Sequence, residues 1–241
     1  MLFELPLFPL NVVLFPGMQL PLHIFEPRYR LMARRCLEND ATFGVALLVE
    51  GVEGQGETIP APVGCTAEII ESTPFPDGRL NLMTVGRRRF KVLSLREEDD
   101  YLIGTCQWLD DESTRQPNEM PVAPKEETSR AERVREALRG YLKSLARNAN
   151  LSPADVAGLD VPSDPYDLSM WIGALITLPN DQKQELLEMT STPARLEIEH
   201  VFLRRGEIVQ RAYARKILER PPSADEEDDF SGPFSQFLSL N

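Results

Sequence analysis

The residues best suited to chemistry in this chain are three consecutive arginines, Arg87, Arg88 and Arg89, followed by Phe90. Guanidinium groups contact phosphates and a neighbouring ring can stack on a base, so GRRRF has the residue types of a nucleic-acid contact. The string reads as a β-strand, however, with Phe90 and Val92 alternating against Arg89 and Lys91. Successive strand side chains point to opposite faces, which divides the patch and sets the arginines against acidic neighbours in a structural strand. Overall charge argues the same way. Against 26 basic residues stand 38 acidic ones, a formal net charge of −12, the reverse of what phosphate binding requires.

Other reactive side chains are sparse. Only two histidines occur, His23 and His200, with no HExxH and no His/Cys cluster, so no metal is expected. The three cysteines, Cys36, Cys65 and Cys106, are odd in number and widely spaced, forming neither a disulfide framework nor a CxxC knuckle; reduced, buried thiols of a cytoplasmic protein are expected. A phosphate-cradling GxxxxGK[ST], a GxSxG elbow and a Gly-rich dinucleotide loop are all missing. The nearest string to a nucleophile motif, SGPFS at 231–235, sits beside an acidic run in a segment expected to be disordered, where no nucleophile could be held in place. Carboxylates are plentiful but fall in runs at 97–100, 110–112 and 225–229, the pattern of solvated surface. The chain therefore reads as a non-enzyme with no cofactor.

The elements that must carry any binding site begin with MLFELPLFPLNVVLFPGMQLPLHIFEPRYR. It has no basic n-region, which excludes a secretory signal, and prolines at 6, 9, 16 and 21 break any membrane helix. The prolines instead bound short strands, LPLFPL and MQLPLHIF. EPRYRLMARRCLEND then predicts a helix, with Pro27 in the first turn and Tyr29, Met32, Ala33 and Cys36 on one face. FGVALLVE is a buried-strand run, GVEGQGETIPAP at 51–62 a Gly- and Pro-rich loop, and CTAEII a further strand. A Pro-Asp-Gly turn in PFPDGRLNLMTVG predicts a hairpin, after which GRRRFKVLSL and YLIGTCQWL give six or seven strands in all.

Residues 1–116 thus form a β-rich unit with one inserted helix, and 117–126 a polar linker. From 127 to 220 the pattern is helical: Ala131, Val134, Leu138, Tyr141 and Leu145 recur at three- and four-residue steps. YDLSMWIGALI places Leu168, Trp171, Ile172, Leu175 and Ile176 on one face, Asn180 or Asp181 is the expected cap of the next helix, and Thr192 with Pro193 that of the last. Between the first two helices, NLSPADVAGLDVPSDP reads as a loop in which SPAD begins one short turn. Residues 221–241, acidic and opened by a Pro-Pro pair, read as a disordered tail, with FSQFLSL apolar enough to serve as a short docking motif.

Three segments in this order carry a family resemblance. LPLFPLNVVLFPGMQLPLHIFEPRYRLM resembles the start of the N-terminal, substrate-binding domain family of the ATP-dependent protease Lon; PDGRLNLMTVGRRRFKV and DQKQELLEMTSTPARLE are similar to later parts of the same family. The resemblance implies an α+β fold, a PUA-like β pseudo-barrel followed by a C-terminal helical bundle, and a free-standing substrate-recognition domain without ATPase or peptidase modules. Implied partners are unfolded or exposed apolar protein segments, with a protease acting in trans and self-association left open. Cereblon shares the domain, but its zinc-bearing drug-binding part has no counterpart here. Phe15, Met18, Phe25, Arg28 and Tyr29, around the first helix and its approach, have the residue types of a peptide contact: Phe25 and Tyr29 offer amphipathic area and Arg28 a hydrogen-bonding anchor. The same aromatics could equally be core. A competing reading is RNA binding, because PUA-like folds occur in RNA-binding proteins; fold alone does not fix function, and the net charge opposes it.

Overall fold

Two strands form where the sequence placed them, but Pro6, Pro9 and Pro21 lie inside these strands rather than at their ends, and only Pro16 falls between them. In the computed structural model, which describes residues 1–39, 41–52, 55–112, 125–148 and 159–219, β1 is Leu2–Leu10 and β2 is Gln19–Ile24. Helix α1, Pro27–Glu38, starts on its proline and buries Tyr29, Met32, Ala33 and Cys36. Four further strands follow: β3 (Phe43–Val52), β4 (Gln55–Pro74), β5 (Leu80–Glu98) and β6 (Tyr101–Trp108).

Two expectations change. The stretch 51–62 is mostly strand, not loop: β3 continues to Val52 and β4 begins at Gln55. Register shifts between Ala46 and Val52 absorb the glycines and prolines, bulging the pairing while keeping the strands together. The second half of the hairpin and GRRRFKVLSL are one strand, β5, whose 19 residues give it two sets of partners. Its first part pairs with β2, from Ile24↔Leu80 to Gln19↔Val85, and its later part with β6, from Phe90↔Trp108 to Glu98↔Tyr101. The sheet order is β2-β5-β4-β3-β1-β6, and the β5–β6 pairing joins its last strand back to β5. Five strands therefore close on themselves, with β2 outside the ring. Among the described strands only β1 and β3 pair in parallel.

One core lies between the sheet and α1, where Phe8 and Tyr29 meet with ring centroids 4.1 Å apart. A second, made by Leu5, Leu7, Phe90 and Cys106, draws on β1, β5 and β6.

Helices α2 (Lys125–Asn148), α3 (Pro165–Leu175), α4 (Asn180–Glu188) and α5 (Thr192–Glu219) follow. The stripe read from the sequence is buried at Ala131, Val134, Leu138 and Tyr141, and packs with Leu168, Ile172, Leu196 and Leu203 of α3 and α5. Helix α2 begins two residues inside the expected linker; the rest of that linker, most of SPAD's loop and the acidic tail lie outside the described residues.

The caps differ from expectation. Asn180 is the first residue of α4 rather than its cap and spends its amide on the Asn11 carbonyl, 2.9 Å away. Thr192 is already helical, its hydroxyl donated to Asp111, and Ser191 before it accepts from the Ala194 N–H at 3.4 Å. Asp164 caps α3, accepting from the N–H groups of Tyr166 and Asp167, which satisfies two of the four donors every helix start leaves over.

Candidate functional site

Helices and sheet meet over an apolar layer in which Val13, Phe15 and Val63 face Met170, Ala174, Leu186 and Leu187. The closest approach is at Gly173, where an added Cβ would lie 2.4 Å from the Phe15 ring, so only glycine lets α3 settle on that ring. Beside this layer lies a buried polar contact. Arg89 on β5 and Arg195 on α5, both with no side-chain exposure, grip the Asp111 carboxylate between them, Arg195 Nη2 at 2.8 Å. Arg89 also donates to the carbonyls of Leu187 and Met189 at 2.7 and 2.6 Å, and Arg195 to that of Met189 at 2.8 Å.

Electrostatics follow from this packing. Burial pulls the Asp111 carboxyl upward, but hydrogen bonds and charge from Arg195, with Thr192 and Arg89, outweigh it and hold the group below the usual carboxylate range. Glu199, one turn beyond Arg195, is pushed well above that range by burial, against the opposing pull of Ser169 and Arg195. Its Oε1 accepts from Ser169 at 3.0 Å, while Oε2 has no hydrogen-bond partner among the described residues. The result is a fixed joint between sheet and helices.

Next to the joint opens a cleft of about 590 Å³. Its sheet side is Pro16 and Gly17 before β2, with Gly86 and Arg87 of β5. This wall is held by backbone: Gly17 N–H donates to the Gly86 carbonyl and Gly86 N–H to that of Met18, both at 2.8 Å. A Cβ at Gly86 would lie 2.1 Å from the Phe15 carbonyl oxygen, so glycine is required there. The helical side is the segment Asp160–Asp164 and the face of α3 bearing Asp167, Met170 and Trp171. Arg135 of α2 steadies the segment, donating to the carbonyls of Pro162, at 3.2 Å, and Ser163.

The residues singled out from the sequence fall into two groups rather than one surface, Phe15 with Met18 and Arg28 with Tyr29, and Phe25 stands apart from both. Phe15 is fully buried in the junction layer behind the cleft, and Met18 is partly buried against both that layer and the core between sheet and α1. Tyr29 is buried on Phe8 with the Arg28 guanidinium 4.4 Å above its ring. Arg28 itself is engaged by Glu26 at 2.9 Å. Phe25 is 62% exposed, beyond the far end of β2 from Met18. The arginine string meets acids at every position, Arg87 with Glu68, Arg88 with Asp110 and Arg89 with Asp111.

Sequence reading passed over Asp111, taken as part of a solvated run, and Arg195 within TPARLE. It named Arg87 only as part of the arginine string and Trp171 only as part of an apolar helix face, and passed over Asp164 and Asp167, although Asp164, Asp167 and Trp171 are spaced i, i+3, i+7 on one helix face. Burial pushes the thiols of Cys36 and Cys106 up to about 11 and of Cys65 to about 12, which leaves them poor nucleophiles. Among the described residues no three His, Cys, Asp or Glu side chains converge to hold a metal, the cleft carboxylates included. No helix among them is long and apolar enough to cross a membrane.

A closed mixed sheet locked to helices by a buried charged joint, with a cleft at the seam, defines an α+β protein. The chain matches the ATP-dependent protease La (LON) substrate-binding domain across residues 4–205, and it belongs to that family. It is 27% identical over 201 residues to a Lon protease of Anaeromyxobacter dehalogenans and 26% identical over 200 residues to that of Escherichia coli K12. Each alignment covers 80% of this chain, but only 22% and 24% of those proteases, so the chain spans about a quarter of its curated relatives' length. Among solved structures it is similar to a Lon N-terminal domain protein from Xanthomonas campestris, with a TM-score of 0.55, 26% identity and coverage of 81% of this chain and 96% of that one. The fold is also that of the N-terminal domain of a Mycobacterium avium complex Lon protease, with a TM-score of 0.60, 17% identity and coverage of 83% and 98%.

Proposed function

We propose that this chain is a non-catalytic, cytoplasmic recognition module that holds unfolded or exposed apolar segments of other proteins, with no ATPase or peptidase chemistry of its own. The observation that carries the reading is the seam cleft: concave, walled by fixed backbone on one side and by Met170 and Trp171 on the other. Membership in a family described as a substrate-binding domain supports it. In this reading the ring of strands is a PUA-like pseudo-barrel, the helices are a bundle, and the apolar layer at Phe15 and Met18 backs the binding surface. Phe25 and Arg28 give a second contact roughly 20 Å away along β2, at about 3.3 Å per strand residue. In this reading a protease acting in trans is a further partner of the bound client.

The test is binding of a reduced, carboxymethylated protein that cannot fold, followed by fluorescence anisotropy. Trp171→Ala is expected to weaken capture about tenfold, the loss of one well-buried aromatic contact. Undiminished capture by that variant, with helical content unchanged by circular dichroism, would contradict the cleft assignment.

A further inference from the structure

Helix α5 carries apolar side chains on both of its sides. Leu196, Glu199, Leu203 and Glu207 turn inward, where the apolar pair packs with α2 and α3. On the other side Ile198, Val201 and Ile208 return at three- and seven-residue steps with Val209 beside them, and Ile208 and Val209 are 68% and 64% exposed. Arg204 and Arg205 stand in the middle of this run, both exposed. Arg204 reaches Glu207 at 3.4 Å, and Glu197, at the start of the run, reaches Arg130 at 3.5 Å. From Arg204 to Glu219 the sequence of α5 has five basic residues against two acidic ones, so the outward run lies in a basic stretch.

The sequence that follows α5 has the opposite charge and the same apolar character. Five carboxylates stand together at 225–229, and Phe230, Phe234, Phe237, Leu238 and Leu240 come after them. Length permits a return. At about 1.5 Å per helical residue Ile198 lies roughly 32 Å back from Glu219, whereas residues 220–241 can reach about 70 Å when extended. A second copy fits less well. Laid antiparallel on the run 198–209 it would turn about a midpoint at Arg204 and Arg205, and laid parallel it would set each arginine against its own counterpart, so like charges would meet in either direction.

We propose that the segment 223–241 folds back along the outer face of α5 in the same chain, its carboxylates on Arg204 and Arg205 and its phenylalanines on the apolar run. The contact covers a surface separate from the seam cleft and keeps it from other chains. It stands whether or not the cleft binds clients.

A nitroxide on Ser235→Cys in the full chain tests this, because Cys36, Cys65 and Cys106 are buried and leave the new thiol as the reactive one. Paramagnetic broadening of amide signals is expected in residues 198–209 and not in α1. It is expected to be lost in high salt, in the variant with Asn or Gln at 225–229, and in Phe234→Ser/Phe237→Ser, substitutions that leave the folded body untouched. Weak broadening spread evenly over the surface, or broadening centred elsewhere, would overturn the proposal. So would broadening at 198–209 that persists in both tail variants. Broadening seen only when labelled chains are mixed with isotope-enriched unlabelled ones would give the face to a second copy and refute the fold-back.

Discussion

Replacing Asp111 with asparagine is expected to cost this protein a large part of its stability. Among the described residues the carboxylate is the single anion paired with both guanidinia, which have no side-chain exposure. Asparagine nearly preserves its volume but removes its charge, leaving Arg89 and Arg195 buried with only carbonyl and hydroxyl acceptors. Breaking a buried ion pair by removing one partner costs about 3–5 kcal/mol, against about 0–1 kcal/mol for an exposed pair. Asp110→Asn supplies the internal comparison, because its bond to Arg88 runs between two side chains about half exposed. With a urea slope of about 2 kcal/mol/M, Asp111→Asn should lower the unfolding midpoint by roughly 1.5–2.5 M at unchanged slope, and Asp110→Asn by less than about 0.5 M. Equal shifts for the two variants would refute the buried-joint argument. A second arm separates charge from packing: Arg89→Met/Asp111→Leu/Arg195→Met removes every ion at once and should recover most of the loss, since no charge is then stranded.

Glu199 and Asp111 act in opposite pH directions. Asp111, held low, contributes stability above about pH 4 that is lost as pH falls through its native value, whereas Glu199, held high, contributes below about pH 4.3 and loses that contribution as pH rises toward its native value. Glu199→Gln should therefore raise the thermal midpoint at pH 7 and flatten the fall in stability as pH rises above about 4.3; an unchanged pH dependence would show Glu199 already ionised in the fold. Gly173→Val forces a side chain into the Phe15 ring and should destabilise by roughly 1–3 kcal/mol in urea unfolding, whereas Gly17→Ala, with no atom within 4 Å, should cost only its backbone strain. Asp164→Ala, losing two N–H contacts at the start of α3, should cost about 1 kcal/mol in the same assay. Single-stranded RNA is expected not to shift at low salt, because each arginine of the 87–89 string has an acidic partner; a shift abolished by charge reversal there would revive the RNA reading.

Local signals in the sequence carried much of the fold. Short apolar runs marked the first strands, the Pro-Asp-Gly turn marked the β4–β5 hairpin, and three- and four-residue spacing gave α1 and α2, because each of these is decided by neighbours along the chain; the prolines read as strand boundaries lie inside β1 and β2. Where tertiary pairing decides, the signal failed. Gly and Pro in 55–62 look like a loop, yet bulged pairing with β3 draws them into β4, and Thr192 looks like a cap until Asp111 claims its hydroxyl. The site was harder to read for the same reason. Phe15 and Tyr29 have the residue types of a contact surface but are consumed by the core, and DDE at 110–112 divides, Asp110 half exposed and Asp111 buried. The helix face of Asp164, Asp167 and Trp171 was present in the spacing, but its meaning depends on the Pro16–Gly17 turn and Gly86 lying opposite, which no local pattern encodes.

The central claim, that apolar client segments bind at the seam between sheet and helices, is tested most directly by hydrogen exchange of the full chain with and without a saturating unfolded, carboxymethylated protein. The account predicts slowed exchange in residues 159–171 and around Gly17 and Gly86, with a smaller effect near Phe25 and Arg28. Slowed exchange confined to the Phe25 end of β2, or to the outer faces of α2 and α5, with the cleft unaffected, would contradict it.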